Sequence, residues 1–291
     1  MAKRQQDELE QLAAGQSGAG NHGEARITDR EADDVESRSA PRTPVIYEIV
    51  RRSGEEEMAR PLVSLWWSGV AAGLSISFSL LAQAILRHSF DPSSWQHLVS
   101  SLGYSVGFLM VVLGRQQLFT ENTITVVLPV MASWSRHDLG RAGRLWAVVL
   151  LANFAGTLFA AAFCSFTPVI TPELKTNMIE ISHHVFSYGF TETMVKAIAA
   201  GFLIAAMVWL LPSAEGGQVA LIVIMTTVIS AGGFMHIVAG SMEAFLLMWE
   251  GMASIGQVVG SFIVPTLIGN VLGGTALFAL LAYAQVMKEM D

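Results

Sequence analysis

Residues 92–135 read PSSWQHLVSSLGYSVGFLMVVLGRQQLFTENTITVVLPVMASWS, and this stretch decides the fold class. The part up to Gly114 carries no formal charge and is about as long as the roughly 20 apolar residues that cross a bilayer. The polar segment GRQQLFTEN at 114–122 then interrupts it before an apolar segment resumes. Non-helical backbone at membrane depth persists only where protein buries it or where it lines a wet cavity. The stretch therefore predicts a transmembrane helix that is broken midway and faces a pathway.

The composition of the whole chain is that of a membrane protein. Hydrophobic residues make up 52% of the 291 positions, charged residues make up 14%, and the mean hydropathy is +0.49, whereas soluble domains carry about 25% charged residues. The net charge of −7 argues against a nucleic-acid partner, which would require a basic face. The single cysteine, Cys164, excludes an intrachain disulfide framework and a CxxC metal site. Because the sequence has no P-loop, dinucleotide fingerprint or metal-ligand cluster, we predict neither an enzyme nor a cofactor.

Further apolar segments predict an all-α domain of six transmembrane helices over residues 61–287. The fifth, like the second, is interrupted, here by GGFMH at 232–236. The other four segments lie at residues 61–86, 145–172, about 190–211 and 251–287. Six spans put both termini on one side, and Arg136, Arg141 and Arg144 place that side in the cytoplasm by the positive-inside rule. We therefore expect a multi-pass protein of the inner membrane.

The charged residues are concentrated before the first span. Residues 1–60 hold 9 of the 17 Lys/Arg and 13 of the 24 Asp/Glu. Residues 1–43 have almost no large apolar side chains and cannot bury enough surface to offset chain entropy, so we predict a disordered cytoplasmic tail. Residues 44–60 mix apolar and charged side chains, which predicts an amphipathic helix at the membrane surface.

The two halves of the chain resemble each other. The AAG that ends at Gly73 recurs at Gly201, 128 residues later, and the NFAGTLFA that begins at Asn153 resembles the NVLGGTALFA that begins at Asn270, 117 residues later. Three spans per half is an odd number, so the halves enter the membrane in opposite directions. Inverted repeats of this kind place the substrate site at the midplane, between interrupted helices.

These motifs together resemble the formate/nitrite transporter family over about residues 44–286. The matching positions are Leu118-Phe119-Thr120 in the first break, Gly233-Phe234-Met235-His236 in the second, Asn270 with Gly273 and Gly274 in the sixth span, and Gly73 and Gly201 in the first and fourth. The resemblance implies an aquaporin-like homopentamer with one pore in each protomer. It also implies passage of small monovalent weak-acid anions such as formate, nitrite or hydrosulfide.

The resemblance assigns the pore-lining residues. His236 would donate a hydrogen bond to an anion or exchange a proton with it, although a packed histidine that ties down the break is the alternative. Thr120 would offer its hydroxyl to the same ion, or it would cap the half-helix that begins near Asn122. Leu118 and Phe119 would form an apolar constriction on the cytoplasmic side. Tyr104 and Phe108, which share a helix face, and Ile229 would line the rest of the pore, with ordinary core packing as the alternative.

Three charged residues differ from the family pattern or flank the pore. Glu121 stands where the family has a small residue, and Gly189 stands where it has a lysine, the nearest base being Lys196. Lys196 would draw anions to the outer vestibule, or it would pair with Glu192. Glu121 and Arg115 would form an ion pair across the first break, or Glu121 would be a proton or cation site.

The function that we predict is a channel for small monovalent weak-acid anions, whose passage is either passive or linked to protons. A facilitator for small neutral solutes on the same scaffold, and a non-conducting scaffold or sensor that works through its charged tail, are the alternatives. His183-His184, with Glu180, fall in the loop between the third and fourth spans, where solvated residues are a better interpretation than a metal site.

Overall fold

The computed structural model describes Thr28 and residues 41–90 and 93–289. The chain divides into two units, residues 1–40 and 41–291, and the helices named here all belong to the second. The predicted disordered tail lies outside the described residues, except for Thr28 and residues 41–43.

Every regular element of the second unit's described residues is a helix. The helices are α1 (Thr43–Ala59), α2 (Leu62–Ser89), α3 (Gln96–Leu113), α4 (Asn122–Ser133), α5 (Arg136–Phe166), α6 (Pro172–Ser182), α7 (Phe190–Leu210), α8 (Gln218–Ala231), α9 (Ile237–Trp249) and α10 (Ile255–Val286). Short 3-10 turns at His183–Phe186 and Leu211–Ser213 follow α6 and α7. The helical segments α3 and α4, and likewise α8 and α9, are separated by irregular backbone where the sequence predicts breaks.

In the part of the chain that the structure describes, five helices are long and apolar enough to cross a membrane, namely α2, α3, α5, α7 with its 3-10 extension, and α10. The predicted fifth span is instead two helices of 14 and 13 residues, α8 and α9, each too short to cross alone. Gly233 turns the chain between them with φ +61, a conformation that glycine adopts without steric cost. The described helices therefore match the predicted six transmembrane spans only if α8 and α9 are counted together as one interrupted span.

Helix α1 packs against the helical bundle through one face. The buried residues of this helix are Ile46, Tyr47, Val50, Gly54 and Met58. The Tyr47 ring lies 6.1 Å from the Tyr283 ring of α10. On the outer face, hydrogen bonds from Arg51 and Arg52 lower the pKa of the Glu48 carboxyl to about 2. The segment predicted as a surface helix is thus anchored to protein along its apolar side.

Two pairs of helices cross at glycines with matching contacts. Where α2 crosses α5, a Cβ on Gly73 would lie against the Asn153 carbonyl and 2.9 Å from the Gly156 Cα. Where α7 crosses α10, a Cβ on Gly201 would lie against the Asn270 carbonyl and 2.8 Å from the Asn270 Cα. Small residues let membrane helices approach each other this closely. The sequence repeat thus corresponds to a repeated helix contact.

Replacing Gly201 by alanine is expected to destabilise the protein, because the new methyl group meets backbone atoms that cannot rotate away. We expect the free energy of unfolding to fall by about 2–3 kcal/mol, measured as a lower thermal midpoint of the detergent-solubilised protein. Gly143→Ala in α5 is the control, since nothing lies within 4 Å of a Cβ there and alanine favours a helix. Equal midpoints for Gly201→Ala and the unmodified chain would contradict the close approach.

Candidate functional site

The two helix breaks meet at a contact between Thr120 and His236. The Thr120 Oγ1 atom lies 2.7 Å from the His236 Nε2 atom. The side chains are fully enclosed, with exposures of 0% for Thr120 and 1% for His236. The structure therefore brings together the two polar side chains that the sequence singles out, one from each half of the chain.

Hydrogen bonding determines which imidazole nitrogen of His236 carries the proton. The backbone N–H of Ala239 donates to Nδ1 at 3.1 Å, which caps the start of α9. Because Nδ1 accepts, the neutral ring carries its hydrogen on Nε2, and this N–H donates to the Thr120 oxygen. The Thr120 hydroxyl hydrogen then finds no acceptor within the described part of the chain. Protonating His236 would break the Ala239 cap and place a cation at a helix N-terminus, so the geometry favours the neutral ring.

The predicted alternative role of Thr120, capping the next half-helix, is not seen. Helix α4 begins with no side-chain cap. The Thr123 hydroxyl instead donates to the Thr120 carbonyl at 2.7 Å. Thr123 is held from α10 as well, since the Thr275 hydroxyl donates to its carbonyl at 2.6 Å, and a Cβ on Gly274 would touch its side chain. The Thr120 hydroxyl is thereby left to the contact with His236.

The aromatic pair on α3 lies beside the histidine, where the sequence places it. The Phe108 ring packs edge-to-face on the His236 ring at 5.1 Å, and the Tyr104 ring lies 5.1 Å from Phe108. Phe108 is fully buried, while Tyr104 lines a cavity that leads to His236. These rings keep water away from one side of the imidazole.

Leu118, Phe119 and Ile229 are buried but lie outside that cavity. The Phe119 ring packs edge-to-face on Trp146 at 5.8 Å. Ile229 contributes its carbonyl to the turn after α8, where it accepts from the Phe234 N–H at 3.0 Å. For these three residues the contacts match the alternative of core packing as well as a constriction.

Asn153 holds the first break. From α5, its side-chain amide donates to the carbonyls of Gly69 and Gln117, both at 2.8 Å. Its oxygen accepts from the Phe119 N–H at 2.9 Å. One side chain thereby ties together α2, the break and α5, and it satisfies backbone groups that the interrupted helix leaves unpaired.

Asn270 holds the second break in the same way. From α10, its amide donates to the carbonyls of Ala197 and Met235, at 2.8 and 2.9 Å, and its oxygen accepts from the Ile237 N–H at 2.8 Å. A Cβ on Gly273, one turn further along, would meet the backbone of α7. These bonds make Leu118 the residue equivalent to His236, so the histidine has no polar counterpart at the matching position.

The cavity beside His236 has a volume of about 440 Å³. It has a polar mouth, where Arg87 pairs with Glu180 at 2.8 Å, and it ends at His236. The lining side chains between them come from α2, α3, the turn after α6, the second break and α9, and they include Gln83, His97, Tyr104, His184, Tyr188 and Glu243. The cavity thus reaches the His236 side of the Thr120–His236 contact.

The three charged candidates do not form the ion pairs that the sequence suggested. Lys196 lies over the Tyr188 ring at 4.4 Å, and within the described residues it forms no ion pair with Glu192. Arg115, at φ +49, remains exposed, whereas the Glu121 Oε1 atom is buried without a hydrogen bond. The predicted Arg115–Glu121 ion pair is not formed, because the chain between them folds inward and carries Glu121 away from the surface.

Glu243 and its contact with His184 were not predicted from the sequence. Glu243 is buried on α9 and lines the cavity, and the His184 Nδ1 atom lies 3.2 Å from its Oε2 atom. The available signal was a lone carboxylate in an otherwise apolar segment, because an ionisable residue inside a membrane is a functional candidate by default. His184, predicted as a solvated loop residue, lies against this carboxylate.

Comparisons with known proteins agree with this architecture. Residues 44–284 match the model of the formate/nitrite transporter family. The chain is 40% identical over 256 residues to the inner membrane protein YfdC of Escherichia coli K12, covering 88% of this chain and 83% of that protein. These relations identify a transporter and channel family rather than an enzyme family.

Solved structures share the fold. A pentameric formate channel with formate bound superposes with a TM-score of 0.66 at 18% identity, covering 78% of this chain and 98% of that one. An FNT family ion channel superposes with a TM-score of 0.71 at 20% identity, covering 84% and 98%. With five helices long enough to cross a bilayer, this is a multi-pass membrane protein, and the chain belongs to the formate/nitrite transporter family.

Proposed function

We propose that the chain is a channel for small monovalent weak-acid anions, with one pore in each protomer that passes between Thr120 and His236. The observation that carries the proposal is the 2.7 Å contact between these side chains, enclosed between two helix breaks at the end of a cavity. The solved pentameric formate channel of the same fold has formate bound. Formate, nitrite and hydrosulfide are therefore the cargoes that we would test.

The chemistry of the contact suits a dehydrated anion. The hydroxyl hydrogen of Thr120 has no acceptor in the described chain, and the Nε2–H of His236 lies beside it. An ion that loses water on entering a dry constriction regains hydrogen bonds from these two donors. Leu118 and Phe119, buried next to Thr120 along the chain, would exclude water on the far side of the contact.

We also propose that the six spans form two inverted repeats of three. The glycine crossings recur with an offset of 128 residues and the asparagine bonds with an offset of 117 residues, and in each half the asparagine holds the broken helix. An odd number of spans per repeat reverses the second half. This arrangement would bring the breaks to the midplane from opposite sides of the membrane.

The oligomeric state of the protein and its membrane location are proposed from its relatives. A homopentamer is suggested by the solved pentameric relative, and an inner-membrane location by the Escherichia coli relative. Both termini, with the tail of residues 1–43, the α1 segment and the arginine-rich start of α5, would face the cytoplasm. Residues 61–287 would form the pore domain.

Thr120→Val tests this function in liposomes that contain the purified protein. Valine keeps the shape of threonine but removes the hydroxyl, so we expect uptake of the transported weak-acid anion to fall by roughly tenfold. Thr120→Ser, which retains a hydroxyl, should keep most of the uptake. If the unmodified protein takes up neither formate nor nitrite nor hydrosulfide at a measurable rate, the proposal is contradicted.

A facilitator for small neutral solutes is the second candidate, favoured by the buried Glu121 oxygen that has no hydrogen bond. A carboxylate near the path would repel anions and spare neutral solutes. Glycerol uptake in the same liposomes, without uptake of any weak acid, would support this candidate instead.

A further inference from the structure

Two glutamines line the cavity, and they differ in whether their amide hydrogens are used. The Gln96 Nε2 atom donates to the backbone carbonyls of Arg87 and Phe90, at 3.0 and 2.9 Å. The Gln83 side chain accepts from the Ser230 hydroxyl at 3.0 Å through its oxygen, whereas its Nε2 atom donates to no acceptor in the described part of the chain. Gln83 is only 6% exposed and lines the cavity, so its unused amide hydrogens face the cavity.

The hydroxyl group of Tyr104 is a second unused donor. Helix α3 crosses α2 at this point, since the Ser100 hydroxyl donates to the Gln83 carbonyl at 3.0 Å. The Ser79 hydroxyl likewise donates to the Tyr104 carbonyl at 2.6 Å. The Tyr104 ring packs against Phe108, and its hydroxyl group forms no hydrogen bond with any described residue. Tyr104 and Gln83 therefore offer donors to one cavity from two neighbouring helices.

The charged side chains that line the cavity do not oppose an anion beside these donors. Arg87 and Glu180 pair with each other at the mouth, at 2.8 Å. Deeper in the cavity, the His184 Nδ1 atom lies 3.2 Å from the Glu243 Oε2 atom. Burial of an unpaired charge is costly, so Glu243 is ionised only when His184 is protonated, and the pair then adds no net negative charge.

We propose that Gln83 and Tyr104 form a binding subsite for a small oxyanion, such as formate or nitrite, between the cavity mouth and His236. The inference rests on the proposed function and names residues that bind the cargo before it reaches the constriction. The amide N–H and the phenol O–H donate to the oxygens of the anion, and they replace hydrogen bonds to water that the ion loses on entering. The ion then passes to the donors at Thr120 and His236.

Tyr104→Phe tests the subsite without disturbing the fold. The hydroxyl that it removes has no hydrogen-bond partner among the described residues, and the packing of the ring on Phe108 is kept. Uptake of formate and of nitrite into liposomes that contain the full chain is measured over a range of concentrations at one pH. We expect the half-saturating concentration to rise on the order of fivefold, with the maximal rate nearly unchanged, because the subsite only binds the ion.

Gln83→Met removes the amide donors at nearly the same side-chain length. We expect the half-saturating concentration of this variant to rise on the order of tenfold, again with most of the maximal rate retained. Gln218→Met is the matched control. Gln218 begins α8, is exposed and lies outside the cavity, so its variant should keep the half-saturating concentration of the unmodified protein.

The outcomes separate this inference from the proposed function. An unchanged half-saturating concentration in either assembled variant overturns the inference and leaves the proposed function in place, as does uptake by the unmodified protein that never saturates. If Gln83→Met does not assemble, Tyr104→Phe decides alone. A fall in maximal rate without a change in half-saturating concentration overturns the inference as well, because the residues would then act at the constriction. Uptake of neither formate nor nitrite by the unmodified protein rejects the proposed function itself, and the inference with it.

Discussion

Asn270→Leu is expected to abolish stable assembly of the protein. Leucine has the same branched shape and number of side-chain heavy atoms as asparagine but forms none of its three hydrogen bonds, so the Ile237 N–H and the Met235 carbonyl lose their partner inside the bundle. The Ala197 carbonyl loses one as well. Each unsatisfied buried group costs about 1–3 kcal/mol, so the free energy of unfolding should fall by roughly 3–5 kcal/mol. Thermal unfolding in detergent and size-exclusion chromatography measure the effect.

Two further variants make this test specific. Asn153→Leu removes the equivalent bonds at the first break and should cost a similar amount. Asn177→Leu changes a partly exposed residue of α6 that bonds only within its own helix, and should alter stability by no more than about 0.5 kcal/mol. If Asn270→Leu unfolds at the same temperature as Asn177→Leu, the asparagine bonds do not hold the breaks.

The parts of this fold that the sequence predicts are those where polar or small residues interrupt apolar segments. Asn153 and Asn270 stand out because a buried amide in a membrane helix requires partners, and both find backbone groups of an irregular segment. Gly73 and Gly201 stand out for the opposite reason, since only glycine permits the backbone approach seen at each crossing. In both cases the surroundings of one residue restrict which amino acid can stand there, and the sequence shows that restriction directly.

The parts that escaped prediction depend on contacts between distant segments. His184 and Glu243 are 59 residues apart, and only the packing of the turn after α6 against α9 brings them within 3.2 Å. Arg115 and Glu121 are close in sequence yet remain separate, because the left-handed backbone at Arg115 leaves one side chain outside while the other turns inward. Proximity along the chain was a poor guide wherever the backbone is irregular.

Loss of weak-acid uptake is the expected result of His236→Asn. Asparagine is a favoured N-cap residue, so it can replace Nδ1 in accepting from the Ala239 N–H and keep the start of α9 intact. It does not extend to Thr120 as Nε2 does. A hydrogen bond to a charged group contributes about 1.5–3 kcal/mol, so uptake of formate or nitrite should fall roughly tenfold to a hundredfold, with stability retained.

His236→Phe separates the two roles of the ring. Phenylalanine removes the donor to the pore and also the cap on α9, so this variant should lose uptake and about 1 kcal/mol of stability. A histidine that only tied down the break would also cost stability in His236→Phe, but it would leave uptake unchanged in His236→Asn. Unchanged uptake of formate, nitrite and hydrosulfide by both variants, from mildly acidic to mildly basic pH, would show that the pore does not pass His236. Both outcomes can be told apart from misfolding, because the asparagine variant retains the hydrogen bond that starts the helix.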